Sequence, residues 1–203
     1  MISLNDLRKF KAEGRKFSCL TCYDASMAKA MELAEIDTIL IGDSLGMAIQ
    51  GRDSTLPVTV EDMAYHTAAV RRGNQHALIM TDLPFMSYAT LSDALQSSKV
   101  VMQAGAQMVK VEGGAWLAET VQVLTRNGIP VCVHLGLTPQ SVHVFGGYKL
   151  QARTREAADQ LIADCQAVVD AGAAVLLLEC VPAQLGKEIS ELFPHVPVIG
   201  IGA

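Results

Sequence analysis

The sequence predicts an α/β fold of the (β/α)8 TIM-barrel class, built as one domain over residues 1–203, and three observations predict it. Short, nearly continuous apolar runs alternate with helix-like stretches along the whole chain, the pattern of parallel strands covered by helices. No glycine fingerprint of a dinucleotide-binding sheet is present, which favours a barrel over a doubly wound sheet. Acidic and other polar residues recur where the apolar runs end, and a parallel barrel gathers its chemistry at the C-terminal ends of its strands.

The elements follow in order. A helix is expected from Ser3 to about Glu13, with Ser3 as N-cap and Gly14 as its stop. A strand over Phe17–Thr21 leads through Tyr23-Asp24 into a helix from Ala25 to about Leu33. The second strand, Thr38–Ile41, ends in Gly42-Asp43-Ser44-Leu45-Gly46, and a long loop then reaches a helix over Val60–Arg72 capped by Thr59. The third strand, Ala77–Thr81, ends in Asp82-Leu83-Pro84, and a helix over Leu91–Ala104 precedes the fourth, Met108–Glu112. Trp116–Arg126 reads as helix, and Val131–Val133 as a strand ending in His134. A glycine-bearing loop, a helix over Arg155–Ala171, a strand over Ala174–Leu178 ending in Glu179, a helix over Ala183–Leu192 and a strand over Val196–Ile201 complete the chain. Seven strands are counted, so the C-terminal end of an eight-stranded barrel is expected to be absent from this chain.

Composition narrows the function. Half of the residues are hydrophobic and 18% are charged, which excludes a disordered chain, and a net charge of −5 without a Lys/Arg cluster argues against nucleic-acid or anionic-membrane partners. No apolar run approaches the roughly 20 residues of a membrane span, and the N-terminus has no secretory core, so a cytoplasmic location is expected. The five cysteines are scattered and odd in number and read as reduced thiols. Cys19 and Cys22 form a CxxC by count. On a strand, however, positions three apart face opposite sides, and no second Cys/His pair completes a zinc site.

The fourth strand is the most informative. Lys110 and Glu112 lie on one face and Val109 and Val111 on the other. If the valines pack against helices, the two charges point inward, where they are costly unless paired or bound. Asp43, Ser44, Asp82, His134 and Glu179 occupy the other strand ends, and Glu112 occupies the end of this one. Acids on one rim would repel unless a cation lay among them, and hard oxygen donors suit Mg²⁺; the competing explanation is that the acids cap the following helices. Lys110 reads either as a point charge beside an oxyanion or as a Schiff-base amine, the acid-rich rim favouring the charged form. His134 reads as a hydrogen-bond donor, a metal ligand or a structural group.

Ordered blocks then become specific: Ile41-Gly42-Asp43-Ser44-Leu45-Gly46-Met47, Asp53-Ser54-Thr55-Leu56-Pro57-Val58-Thr59, Asp82-Leu83-Pro84-Phe85-Met86, Val109-Lys110-Val111-Glu112-Gly113-Gly114, His134-Leu135-Gly136-Leu137-Thr138-Pro139-Gln140 and Phe145-Gly146-Gly147-Tyr148-Lys149. With these the chain resembles the ketopantoate hydroxymethyltransferase family over nearly its whole length. The resemblance implies a (β/α)8 barrel in a cytoplasmic homo-oligomer, a decamer, acting in pantothenate synthesis. It implies one Mg²⁺ per subunit and transfer of a one-carbon unit from 5,10-methylenetetrahydrofolate to 3-methyl-2-oxobutanoate, giving 2-dehydropantoate. By motif match, Asp43 and Asp82 would hold the metal with Glu112 a third ligand, direct or through water. Asp43, Ser44, Asp82, Lys110 and His134 would contact the oxo acid, and Glu179 would be the catalytic base. Two departures stand out: the family continues beyond Ala203, and a glycine usual shortly after the Gly-Gly-Tyr-Lys block is Ala152 here. Lyases and mutases of the isocitrate lyase and phosphoenolpyruvate mutase type offer a second enzyme reading, but they carry a reactive cysteine on a mobile loop, and the loop over 141–153 has none.

Overall fold

The computed structural model describes residues 1–147 and 149–202; Tyr148 of the Gly-Gly-Tyr-Lys block and Ala203 lie outside them. The chain falls into two compact units, Met1–Val111 and Glu112–Ala203.

In the first unit α1 (Leu4–Ala12) precedes β1 (Cys19–Thr21), α2 (Ala25–Leu33), β2 (Thr38–Ile41), α3 (Leu45–Ala48), α4 (Val60–Gly73), β3 (Leu78–Asp82) and α5 (Leu91–Gln103), and β4 (Met108–Glu112) begins within it. Each strand pairs in parallel with the next: Cys19 opposite Thr38, Thr38 opposite Leu78, and Asp82 opposite Lys110. All residues of β3 and β4 are buried, as parallel strands covered on their outer face require. The helices bury a stripe at helical spacing, Met63, Thr67 and Val70 on α4 and Ala94, Ser97, Ser98 and Val101 on α5. Capping boxes start three of them: Ser3 with Asp6, Thr59 with Asp62 and Thr90 with Asp93. Each such cap contributes about 1 kcal/mol by satisfying backbone N–H groups that the first turn leaves open.

The second unit carries α6 (Ala118–Arg126), β5 (Val131–Gly136), α7 (Val142–Phe145), α8 (Arg155–Asp170), β6 (Val175–Glu179), α9 (Ala183–Leu192) and β7 (Val198–Ile201). β6 pairs in parallel with β5 and with β7, so that Gly136 stands opposite Glu179. Its core combines the strand residues Val131, Val133, Leu176 and Leu178 with Leu124 of α6, Val168 of α8 and Ile189 of α9, all fully or almost fully buried. Burying one such Leu, Ile or Val side chain stabilises the fold by about 1.5–3 kcal/mol.

The elements are those the sequence predicts, with shifted ends. β1 starts at Cys19 rather than Phe17, and β3, β5 and β6 extend through Asp82, Gly136 and Glu179. Polar residues end an apolar run but not a ladder, because strand pairing is made by backbone groups. The one-turn helices α3 and α7 and the 3-10 turns Ala115–Leu117 and Pro139–Ser141 lie in stretches that read as loop or as the start of a helix. Four residues are too few to show a helical period. Ala152 adopts φ 51°, the left-handed region where a glycine is at ease and an alanine costs about 1–2 kcal/mol.

Gly73 closes α4 against α2: a Cβ there would stand 2.2 Å from the Ala25 carbonyl oxygen. Helix propensity favours alanine over glycine by about 1 kcal/mol, but a clash with backbone cannot be relieved by a rotamer. Gly73→Ala is therefore expected to destabilise by about 1–2 kcal/mol net, read as a lower urea midpoint with an unchanged slope.

Candidate active site

In the first unit the register brings Asp82 and Lys110 side by side on β3 and β4. Lys110 Nζ lies 3.0 Å from Asp82 Oδ1, with side chains only 4% and 3% exposed. Asp82 Oδ2 accepts the Asp43 N–H at 3.0 Å, which ties the loop after β2 to the end of β3. Gly42 makes this close approach possible, since a Cβ there would meet Ser44 Oγ at 2.7 Å. Ser44 Oγ is in turn 2.8 Å from the Tyr23 hydroxyl, and His66 Nδ1 lies 2.6 Å from the Tyr23 carbonyl oxygen and donates to it. Burial pushes the Tyr23 phenol above its ordinary value, the hydrogen bond with Ser44 pulls it back, and the Asp82 and Asp43 carboxylates push it up again. An ion-paired ammonium is the charged form of Lys110, so the geometry favours the point-charge reading over the Schiff base.

In the second unit Glu112, His134 and Glu179 form a row. His134 Nδ1 lies 3.3 Å from Glu112 Oε1 and its Nε2 lies 3.2 Å from Glu179 Oε2. The Gln140 N–H, in the 3-10 turn that follows β5, donates to Glu112 Oε2 at 2.9 Å. Glu112 and His134 are 3% exposed at the side chain, whereas Glu179 is 17% exposed. The row therefore runs from a dry carboxylate through an imidazole to a carboxylate that meets solvent.

The alternative that the acids serve as helix caps does not hold. The residues at the cap positions of the helices and turns following Asp43, Glu112 and Glu179 are Ser44, Gly114 and Pro182, and the cap of α5 after Asp82 is Thr90.

A family model described as ketopantoate hydroxymethyltransferase matches residues 1–203 of this chain. The chain belongs to the ketopantoate hydroxymethyltransferase family. Curated relatives carry the name 3-methyl-2-oxobutanoate hydroxymethyltransferase: one from Acinetobacter baumannii (strain AYE) is 93% identical over all of this chain and 76% of its own length. A second, from Acinetobacter baylyi, is 87% identical over 100% of this chain and 76% of its own, and one from Psychrobacter sp. (strain PRwf-1) is 64% identical over 100% and 75%. Solved structures agree on the fold. 2,3-Dimethylmalate lyase, of the PEP mutase/isocitrate lyase superfamily, matches with a TM-score of 0.72 at 16% identity over 98% of this chain and 72% of its own. Phosphonopyruvate hydrolase, solved with oxalate and Mg²⁺, matches at 0.70 with 13% identity over 100% and 81%. Likeness at that identity shows the α/β barrel class; the transferase class comes from the family.

Within this hydroxymethyltransferase family member the predicted residues fall into two local groups, Asp43, Ser44, Asp82 and Lys110 in one unit and Glu112, His134 and Glu179 in the other. Among the described residues no group of three or more His, Cys, Asp or Glu side chains is placed so that it could hold a metal ion. Mg²⁺ rarely asks for such a group: it is held through one or two carboxylates plus waters and substrate oxygens, and the buried carboxylates of Asp43 and Asp82 are donors of that kind. Tyr23 was not singled out from sequence, although it follows a strand end as Asp43 and Asp82 do. Among the described residues no helix is long and apolar enough to cross a membrane.

All five cysteines are free, as the sequence suggests. Burial pushes the Cys19 thiol up to about 12, with Lys110 pulling it down and Asp82 pushing it further up. Burial, with Asp164 acting the same way, takes Cys165 to about 12. Burial raises the Cys22 thiol as well, so neither cysteine of the CxxC is held as a thiolate near neutrality, which argues against a redox role for the pair. In a short pulse of iodoacetamide at pH 8, Cys19 and Cys165 are expected to react ~10³-fold more slowly in the native than in the unfolded chain, read by mass spectrometry. Thiols that ionise in the unfolded chain but not in the folded one favour unfolding, so stability should fall as pH rises from about 9 towards about 12.

Proposed function

We propose that this chain carries the 3-methyl-2-oxobutanoate hydroxymethyltransferase activity of its family, with 5,10-methylenetetrahydrofolate as one-carbon donor and 2-dehydropantoate as product. The observation that carries the reading is the row Glu112–His134–Glu179, whose outer carboxylate alone is partly exposed. A carboxylate that lies beside an imidazole and is partly open to solvent is placed to take a proton from a substrate.

Asp43 and Asp82 would hold a Mg²⁺, and by the family resemblance Glu112, whose oxygens face His134 and the Gln140 N–H, would be a further ligand, direct or through water. The chemistry such an ion would supply is Lewis-acid polarisation of the keto group of a 2-oxo acid, which acidifies C3. Lys110, fixed by Asp82, offers an ammonium to the oxygen on which negative charge develops. Ser44, oriented by Tyr23, and His134 hydrogen-bond the oxo acid. Glu179, the partly exposed carboxylate of the row, removes the C3 proton. The C3 carbon then bonds to the one-carbon unit, both carbon–nitrogen bonds of that unit break, and water supplies the hydroxyl oxygen. The C3 proton and one water hydrogen end on the two folate nitrogens.

The reading includes a cytoplasmic homo-oligomer, a decamer, for which the family resemblance is the support.

The test is exchange of the C3 proton of 3-methyl-2-oxobutanoate in D₂O, followed by proton NMR without folate. Exchange is expected with Mg²⁺, to stop with EDTA and to return when Mg²⁺ is restored. Glu179→Gln should slow it by ~10²–10⁴, the usual contribution of a general base, while oxo-acid binding measured by calorimetry stays within a few-fold. Near-normal exchange in that variant would remove Glu179 as the base.

A further inference from the structure

The second unit contains a cavity of about 400 Å³ that the proton-transfer row does not use. Its lining includes Trp116, Asp164, Gly136, Thr138 and Phe145, and its volume is in the range of small-molecule sites, about 300–1,000 Å³. We propose that it seats the flat 2-amino-4-oxo heterocycle of the one-carbon donor, with the ring against Trp116 and its N–H edge toward Asp164. This inference rests on the transfer reaction proposed above.

The wall is built rather than incidental. Gly113 and Gly114 end β4 with no room for a side chain: a Cβ on Gly113 would stand 2.5 Å from the Trp116 ring, and one on Gly114 would stand 2.8 Å from Asp164 Oδ2. The glycine pair thus lets an indole and a carboxylate lie flat against the backbone. Asp164 Oδ1 accepts the Ala115 N–H at 3.1 Å and so fixes the start of the turn that carries Trp116. The aromatic and the acid are positioned by one another before anything binds.

That pair selects a chemical class. Trp116 is 68% exposed, and a solvent-facing indole offers a π-face on which a heteroaromatic ring can stack. Among the described residues of the lining there is no Lys, Arg or His, and there is one Asp. An anion such as the 2-oxo acid is therefore disfavoured inside, as is an anionic tail, whereas a neutral ring presenting N–H groups is favoured. The cavity also reaches the reaction: its lining residue Gly136 stands opposite Glu179, and the Glu179 carbonyl accepts the Leu137 N–H at 2.9 Å. A donor ring bound here lies beside the strand end that carries the proposed base.

Trp116 is the only tryptophan in the chain, so its emission reports on this cavity alone. Tetrahydrofolate, the unreactive product form, is titrated anaerobically into the protein, with fluorescence and calorimetry read in parallel. Expected are a saturable change in Trp116 emission with the same midpoint as the heat, and an affinity at least tenfold weaker in Asp164→Asn and in Trp116→Ala. The asparagine keeps an acceptor for the Ala115 N–H, so the turn is retained, which a thermal melt checks; its KM for the methylene donor should rise by the same factor as its Kd, with a smaller change in kcat. Calorimetric binding with unmoved emission and undiminished affinity in both variants would place the donor elsewhere and overturn the inference while leaving the transfer reaction standing. Absence of any tetrahydrofolate binding, in a protein that still exchanges the C3 proton, would overturn both the cavity's role and the choice of donor.

Discussion

Lys110 and Asp82 meet at 3.0 Å on neighbouring parallel strands, nearly dry on both sides, and much of the first unit can be read as what that pair requires. Two charges taken out of water lose several kcal/mol of hydration each, and their mutual attraction repays this only when the remaining lone pairs are also engaged. Asp82 Oδ2 is engaged by the Asp43 N–H, which fixes the loop after β2, and that loop in turn carries Ser44 toward Tyr23. A stability argument alone would replace such a pair with two leucines. Its retention on an inner face makes sense if the charges are held there for a ligand, with the scaffold absorbing the cost.

The second unit treats its charges differently. Glu112 and His134 are sealed while Glu179 stays partly open, so the three make a graded series from interior to solvent. The dry end is fixed by its neighbours, and the wet end is the one that solvent reaches. The same unit keeps a second recognition surface apart from this series, the wall of Trp116 and Asp164 behind the glycine pair of β4.

Most of this was legible in the sequence for definite reasons. The i, i+2 spacing of Lys110 and Glu112 between two valines announces an inward-facing charged pair, and the strand is buried throughout. Ser3 and Thr59 are caps because hydroxyls there can reach open N–H groups, and both do. The strand-end acids were found because a carboxylate after an apolar run is conspicuous. What stayed hidden depends on tertiary contact. Nothing in Tyr23-Asp24 says that the phenol reaches Ser44, and nothing in a polar helix face says that Asp164 lies against Gly114. One-turn helices such as α3 and α7 are too short for periodicity to show. Polar ends such as His134 and Glu179 shorten a strand read from hydropathy, though the backbone ladder runs on through them.

The strand register has a consequence for how the chain reaches its structure. Within the first unit β1 pairs with β2, β2 with β3 and β3 with β4, and within the second β5 pairs with β6 and β6 with β7. Every pairing thus closes a loop of one intervening segment, and closing such loops one after another avoids the entropy of bringing distant strands together first. Non-local pairing is what slows most β-containing folds. Here every strand after the first of its unit finds a partner already synthesised, and a capped helix lies between most successive pairs. Assembly can follow synthesis, from the N-terminus onward, one strand at a time.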